Sequence, residues 1–357
     1  MSVSKIVAAA ASGAGGNAGL DVDDCFSCHL YEGNGSTQTI TNNIDLSSEG
    51  GLVWLKMRTA SYGNSLYDTA RGVNKRLRTE QTSGESTRTA DVTAFTSSGF
   101  TMGSNGAING SGSDFVSWTW RNSPMFQCLT YTGNGVAGRQ ISHNLGSAPG
   151  MVIVKATDVA DSWYVFHRSL GGTKFLELNA TSASATSTNV WQDTAPSSTV
   201  LTVAGANTNT DTKNYVAYLF AHHANDGSAT GFGPNGDSPV ISCGSYTGNG
   251  SASGPTVDLG FEPQWILQKS ATKTNTDWAI ADVMRGFTAD GVYQRLRPNR
   301  DDAEGSETQL APTSTGFKVV GTASDVNTNG ETYIYMAIRR GPLAVPDDAT
   351  KVFGIDT

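Results

Sequence analysis

The sequence predicts an all-β protein made of three tandem β-sandwich units. Three observations predict it. The 357 residues include 41 Gly and only 16% charged residues, a composition suited to short strands joined by many turns. A turn-forming pentad occurs three times, as Tyr31-Glu32-Gly33-Asn34-Gly35, Tyr131-Thr132-Gly133-Asn134-Gly135 and Tyr246-Thr247-Gly248-Asn249-Gly250, at domain-sized intervals of 100 and 115 residues. Each copy is followed by the same landmarks in the same order.

The pentad opens each unit. Both glycines can take positive φ and Asn tolerates it, so the spacing predicts the first hairpin turn of each unit. Downstream, Leu46, Leu145 and Leu259 each precede a lysine (Lys56, Lys155, Lys269) by ten residues. Each lysine closes an apolar run: Leu52-Val53-Trp54-Leu55, Met151-Val152-Ile153-Val154 and Trp265-Ile266-Leu267-Gln268. Such runs, bounded by Gly or Pro, read as buried strands. Trp163 and Trp278 follow 29 residues past their pentad Asn, where the first unit has Gly63 and Asn64. Asp68-Thr69-Ala70-Arg71-Gly72 then matches Asp282-Val283-Met284-Arg285-Gly286, and Arg76-Leu77-Arg78 matches Arg295-Leu296-Arg297. The second unit has His167-Arg168 and Phe175-Leu176-Glu177 instead. Leu77, Leu176 and Leu296 therefore share one inward-facing position. Alternating aromatic strands close the units at Phe115–Arg121, Tyr215–Phe220 and Tyr333–Arg339.

These landmarks divide the chain into a Gly/Ala-rich arm (1–24), units at 25–122, 125–224 and 240–341, a looser Gly/Asp/Ser/Pro linker (225–239) and a C-terminal extension (342–357). The arm has only about six apolar residues after Lys5, short of the roughly 7–15 that export requires. No apolar run reaches eighteen residues, so no spanning helix is expected. A net charge of −8 argues against a phosphate-neutralising nucleic-acid surface.

The search for chemistry yields little. Cys28, Cys128 and Cys243 lie three residues before each pentad Tyr, as small buried hydrophobes on the opening strand would. Cys25 stands alone, and no histidine sits at zinc-site spacing from the Cys25/Cys28 pair. His222-His223 reads as a solvated pair whose rings diverge. Asp21, Asp23 and Asp24 lack the Gly and Glu of a calcium loop. Asp301, Asp302, Glu304 and Glu307 read as solvated loop charge rather than a glycosidase pair. The two Asp-x-x-Arg-Gly stretches could form a polar ligand site, but their recurrence in two units with different neighbours favours a salt bridge or turn that fixes the following strand. Trp120, Trp163, Trp191 and Trp278 could stack on sugar rings, and Trp163, Trp191 and Trp278 are the candidates carried forward for that role. No catalytic, cofactor-binding or metal-ligating set is expected.

The succession Tyr131 to Gly135, Ile141-Ser142-His143-Asn144-Leu145-Gly146 to Gly150, and Met151 to Lys155 resembles tandem modules in tail-fibre-like or virion structural proteins of marine tailed bacteriophages. So do Gly51 to Lys56, Asp68 to Gly72 and Tyr333 to Pro342. The resemblance runs from Phe26 onward and carries no catalytic residues. It implies lectin-like sandwich modules in a non-enzymatic particle component, a tail fibre, spike or capsid-attached fibre concerned with host attachment. The implied partners are other virion proteins and further copies of the chain, with a trimer favoured. The alternatives are a module that binds host surface glycans and, behind it, a polysaccharide depolymerase.

Overall fold

The computed structural model describes residues 19–343. The arm up to residue 18 and the extension from residue 344 lie outside the described residues. Within them the chain is built of antiparallel strands, and its four short helical segments are one turn or less.

The strands fall into three matching sets. In the first, the opening strand Phe26–Glu32 pairs with the closing strand Asp114–Arg121, which pairs with Gly51–Met57, which pairs with Ser65–Asp68. Behind this sheet lies a smaller one ordered Gln38–Thr41, Gly99–Met102, Val92–Thr96. First strand with last, and second with next to last, is the nested pairing of a jelly roll. The third set repeats it with Ile241–Thr247, Thr332–Arg339, Pro263–Ser270 and Ala279–Asp282, backed by a three-stranded sheet. The second set, led by Phe126–Thr132, Asn214–Phe220, Met151–Ala156 and Tyr164–His167, extends its large sheet by two further strands and keeps only two behind it. Register confirms the sequence alignment. Cys28, Cys128 and Cys243 oppose Trp118, Tyr218 and Met336, and Leu77, Leu176 and Leu296 oppose Leu66, Val165 and Ile280.

The pentad is a corner between two sheets, not a hairpin turn, because the strands on either side of it belong to different sheets. Its two glycines also do different work. Gly35, Gly135 and Gly250 have φ of 67°, 69° and 67°. Gly33, Gly133 and Gly248 have ordinary φ but lie against the carbonyls of Gly110, Thr210 and Thr328, where a methyl group would collide. A buried asparagine fastens each corner. The backbone N–H of Asn34, Asn134 and Asn249 donates to the side-chain oxygen of Asn109, Asn209 and Asn327 at 2.9, 3.1 and 2.8 Å. The Tyr of each pentad stacks on the first aromatic of the closing strand: Tyr31 on Phe115, Tyr131 on Tyr215 and Tyr246 on Tyr333, each at 5.1 Å.

The three large sheets face one another. Trp120 meets Trp265 edge to face at 5.6 Å and Phe220 at 5.8 Å, while Phe26 meets Trp265 at 6.2 Å. A single apolar core therefore runs through residues of all three units, with separate sandwich cores behind it in the first and third. Residues 225–239 are part of this body rather than a loose linker. Phe232 is fully buried in the central core, pairs as an isolated bridge with Leu20, and packs on His223 at 5.7 Å. The described end of the arm is held too: Asp21 caps the turn Val22–Asp24 and accepts from the Leu343 backbone N–H at 3.1 Å.

Gly133→Ala is expected to lower stability by about 1–3 kcal/mol through collision with a backbone that cannot give way. Gly106→Ala, with open space at its Cβ and no positive φ, is expected to be neutral or slightly stabilising. Urea midpoints of the two variants check this; equal losses would refute the close-approach role.

Candidate functional site

The positions singled out in sequence assemble where units meet. At each junction, the last residue of the fourth large-sheet strand reaches across to the next unit's closing strand. Asp68 accepts from Tyr218 Oη at 2.8 Å, and Asp282 accepts from Trp118 Nε1 at 3.0 Å. His167, the equivalent residue of the second unit, contacts the Tyr335 carbonyl at 3.0 Å through Nε2. A second set of contacts closes the same ring. Asn64 Nδ2 donates to the Arg297 carbonyl at 3.1 Å, Trp163 Nε1 to that of Arg78 at 3.1 Å, and Trp278 Nε1 to that of Glu177 at 2.9 Å. First unit touches second, second touches third, third touches first, through equivalent residues each time.

The three tryptophans proposed to stack on sugars are thus corrected. Trp163, Trp191 and Trp278 are 0%, 0% and 1% exposed. Trp163 and Trp278 seal junctions through their indole N–H groups, and Trp191 packs edge to face on Phe166 inside the second unit. No face of these rings is free. Trp120 is likewise central core.

The Asp-x-x-Arg-Gly stretches are buried ion-paired turns, as expected. Arg71 Nε and Arg285 Nε lie 2.7 Å from Asp68 and Asp282, and Gly72 and Gly286 end the turns at φ 88° and 89°. The Arg285 guanidinium also lies 5.4 Å from the Trp118 ring. Two readings of solvated charge are corrected in part: Asp301 is exposed, while other members are held by partners. Glu304 forms a 2.8 Å ion pair with Arg58 across a junction, and Asp302 pairs with Arg297. His223 is buried, its Nδ1 accepting from Val240 N, while His222 Nδ1 accepts from Cys243 N at 3.1 Å. The four cysteines are free thiols, and burial pushes Cys25 up to about 11 and Cys128 up to about 12.

Sequence reasoning passed over the recurring lysines. Lys56, Lys155 and Lys269 are buried, each donating to the carbonyl of its own successor at 3.1, 2.6 and 2.9 Å, and burial lowers all three to about 8. The signal was present: each closes the buried-strand run at the same place in every unit.

A polar cleft lies where the second unit departs from the repeat pattern. At the junction of second and third units, beside the buried His167, lies an opening of about 490 Å³ lined by Arg168, His222, Asp258, Gly260 and Tyr335, among others. Arg168 Nη1 reaches the Cys243 carbonyl at 3.4 Å. Burial and the Arg168 charge hold His222 near pKa 4, so its ring is neutral at pH 7. A cation, a carboxylate, a neutral imidazole and a phenol thus converge on one opening, a donor and acceptor set suited to a polar ligand.

Fold and site define an all-β protein whose three units close into a ring within one chain, with a polar cleft at the least regular junction. Residues 21–342 match the model of the family described as a domain of unknown function (DUF7483). The match spans most of the chain, and the protein belongs to that family. No curated protein matches the chain.

Two outcomes are expected. Trp118→Phe, which removes the N–H donated to Asp282, should cost about 1–3 kcal/mol in thermal or urea unfolding; an unchanged midpoint would refute the junction's energetic role. Burial first, then Arg168 and His222, hold His167 at about 4, below its ordinary 6.5. As pH falls through 6.5 the unfolded chain takes up a proton that the folded chain refuses, so stability falls, and the loss is complete near pH 4. At pH 5 His167 alone should account for about 2 kcal/mol. His167→Gln should flatten that part of the urea-midpoint profile between pH 7 and pH 5, and a profile as steep as wild type would refute it.

Proposed function

We propose that the protein is a non-enzymatic structural component of a bacteriophage particle, a tail fibre, spike or capsid-attached fibre contributing to host attachment. The observation that carries this reading is the closed ring of three equivalent units around one shared core. A rigid body with threefold pseudo-symmetry suits a place on a particle whose fibres are commonly threefold, and the resemblance of the repeat to virion modules points the same way. The proposed partners are other tail or capsid proteins and further copies of the chain in a trimer. The protein would act in the virion after assembly in the host cytoplasm. Labelled antibody raised against the chain should decorate purified particles at one kind of position, and light scattering should give a multiple of 37.4 kDa. A monomer at every concentration, together with undecorated particles, would sink the proposal.

The cleft at Arg168, His222, Asp258 and Tyr335 favours a second reading, recognition of a host surface glycan there. Oligosaccharides should shift amide resonances of these residues, and Arg168→Ala with Asp258→Ala should abolish the shifts. A glycan array that gives no signal above background would count against it.

A further inference from the structure

The three units are internal controls for one another, and one comparison exposes a charge that the fold leaves uncompensated. In the third unit, Arg295 is neutralised from two sides. Glu307 lies 2.6 Å from it, and Asp325 forms a second ion pair. Glu307 also comes within 3.9 Å of Arg297.

Strand pairing fixes what stands at these places in the first unit. Arg76 opposes Ser86 as Arg295 opposes Gly305, so Arg76 matches Arg295 and Arg88 matches Glu307. Tyr31 Oη donates to the Ile108 carbonyl as Tyr246 Oη donates to that of Val326, so Ala107 matches Asp325. Both carboxylates are gone: one has become a third arginine and the other a methyl group.

The space they leave is a cavity of about 190 Å³ lined by Arg76, Arg78, Arg88, Asn105 and Ala107. Arg76 is 8% exposed, and its Nε, like that of Arg295, has no hydrogen-bond partner, so the difference between the two lies in their ion pairs. Its single ion pair is a long one, 3.7 Å to Asp91. That carboxylate is already taken by Tyr67 Oη at 2.5 Å and by Asn105. Arg78 is held by Glu80 at 2.6 Å, while Arg88 has no ion-pair partner among the described residues. Three guanidiniums thus surround the cavity against two carboxylates, each of which already has a partner.

We propose that this pocket binds an oxyanion, a sulfate, phosphate or carboxylate group, which occupies the place that Glu307 and Asp325 fill in the third unit. Guanidinium forks match the geometry of such groups, and a mostly buried arginine gains most from a bound counter-charge. The cavity admits one such group, free or carried on a sugar. The pocket lies in the first unit, apart from the cleft between second and third, so the two assignments stand or fall separately.

The test is titration calorimetry and thermal melting of the full chain with sodium sulfate, phosphate and acetate, against chloride at equal ionic strength. At least one oxyanion should raise the melting temperature and bind saturably. The double variant Arg88→Glu, Ala107→Asp rebuilds the third unit's arrangement; it should weaken that binding by about tenfold or more and melt no lower than wild type without the anion. Arg88→Ala, which asks less of the fold, should weaken it in the same direction. A sulfated oligosaccharide that binds more tightly than inorganic sulfate, while its desulfated form does not bind, would put the anion on a sugar; equal binding of both sulfates would make it a free ion. If none of the three anions has any effect beyond chloride, or if wild type and Arg88→Ala respond alike, the proposal is overturned.

Discussion

The structure depends on one constraint: the large sheet of every unit must be covered on both faces. One face closes the unit's own sandwich and the other meets its two counterparts at the centre. The Gly51–Met57, Met151–Ala156 and Pro263–Ser270 strands are buried at every position, which a lone sandwich with a wet outer face would not need. Burying one large apolar side chain is worth about 1.5–3 kcal/mol. Exposure of the Trp120, Phe220 and Trp265 cluster by a separated unit would therefore cost a large part of a domain's ordinary net stability of about 5–15 kcal/mol. Three independent beads on a string are ruled out by that arithmetic, and the packing of Phe232 under the same core follows from it.

Apolar contact alone does not say which unit meets which. Direction comes from the polar groups at the rim of each junction. A buried carboxylate without partners would be expensive, and Asp68 and Asp282 escape that cost by holding an arginine of their own unit and a phenol or indole of the next. Because each aspartate needs a donor from the neighbouring closing strand, a unit slipped along the junction would strand it. The corner asparagines do the same inside each unit, fixing how the two sheets meet.

Much of this was legible. The repeat period, the strand runs, the equivalence of Leu77, Leu176 and Leu296 and the ion-paired Asp-x-x-Arg-Gly turns all follow from local spacing. The ring did not, although its trace was there: Leu52-Val53-Trp54-Leu55 lacks the alternation of a half-exposed strand, and that signal asks for a second buried face. The tryptophans were misread for a related reason. An aromatic on a strand edge looks exposed when the unit is considered alone, and only the neighbouring unit's carbonyls, on Arg78 and Glu177, make Trp163 and Trp278 interior. Residues 225–239 have the composition of a linker, yet the single Phe232 is enough to anchor them once a core lies within reach.

A ring closed within one chain can do what a ring of identical subunits cannot. In a homotrimer each junction carries the same residues, so a junction is either sealed three times or open three times. Here the same structural position is Asp68, His167 and Asp282, and the outcome differs at each. At two junctions an aspartate accepts from a tyrosine or tryptophan of the next unit, while at the third a neutral, buried histidine contacts a backbone carbonyl and a cleft lies beside it. The same freedom turned Glu307 and Asp325 of one unit into Arg88 and Ala107 of another. Positions that shape each unit are largely repeated, and the cleft and the cavity lie where the repeats disagree. In this chain, function is therefore to be sought at the departures from the pattern rather than in the pentad that defines it.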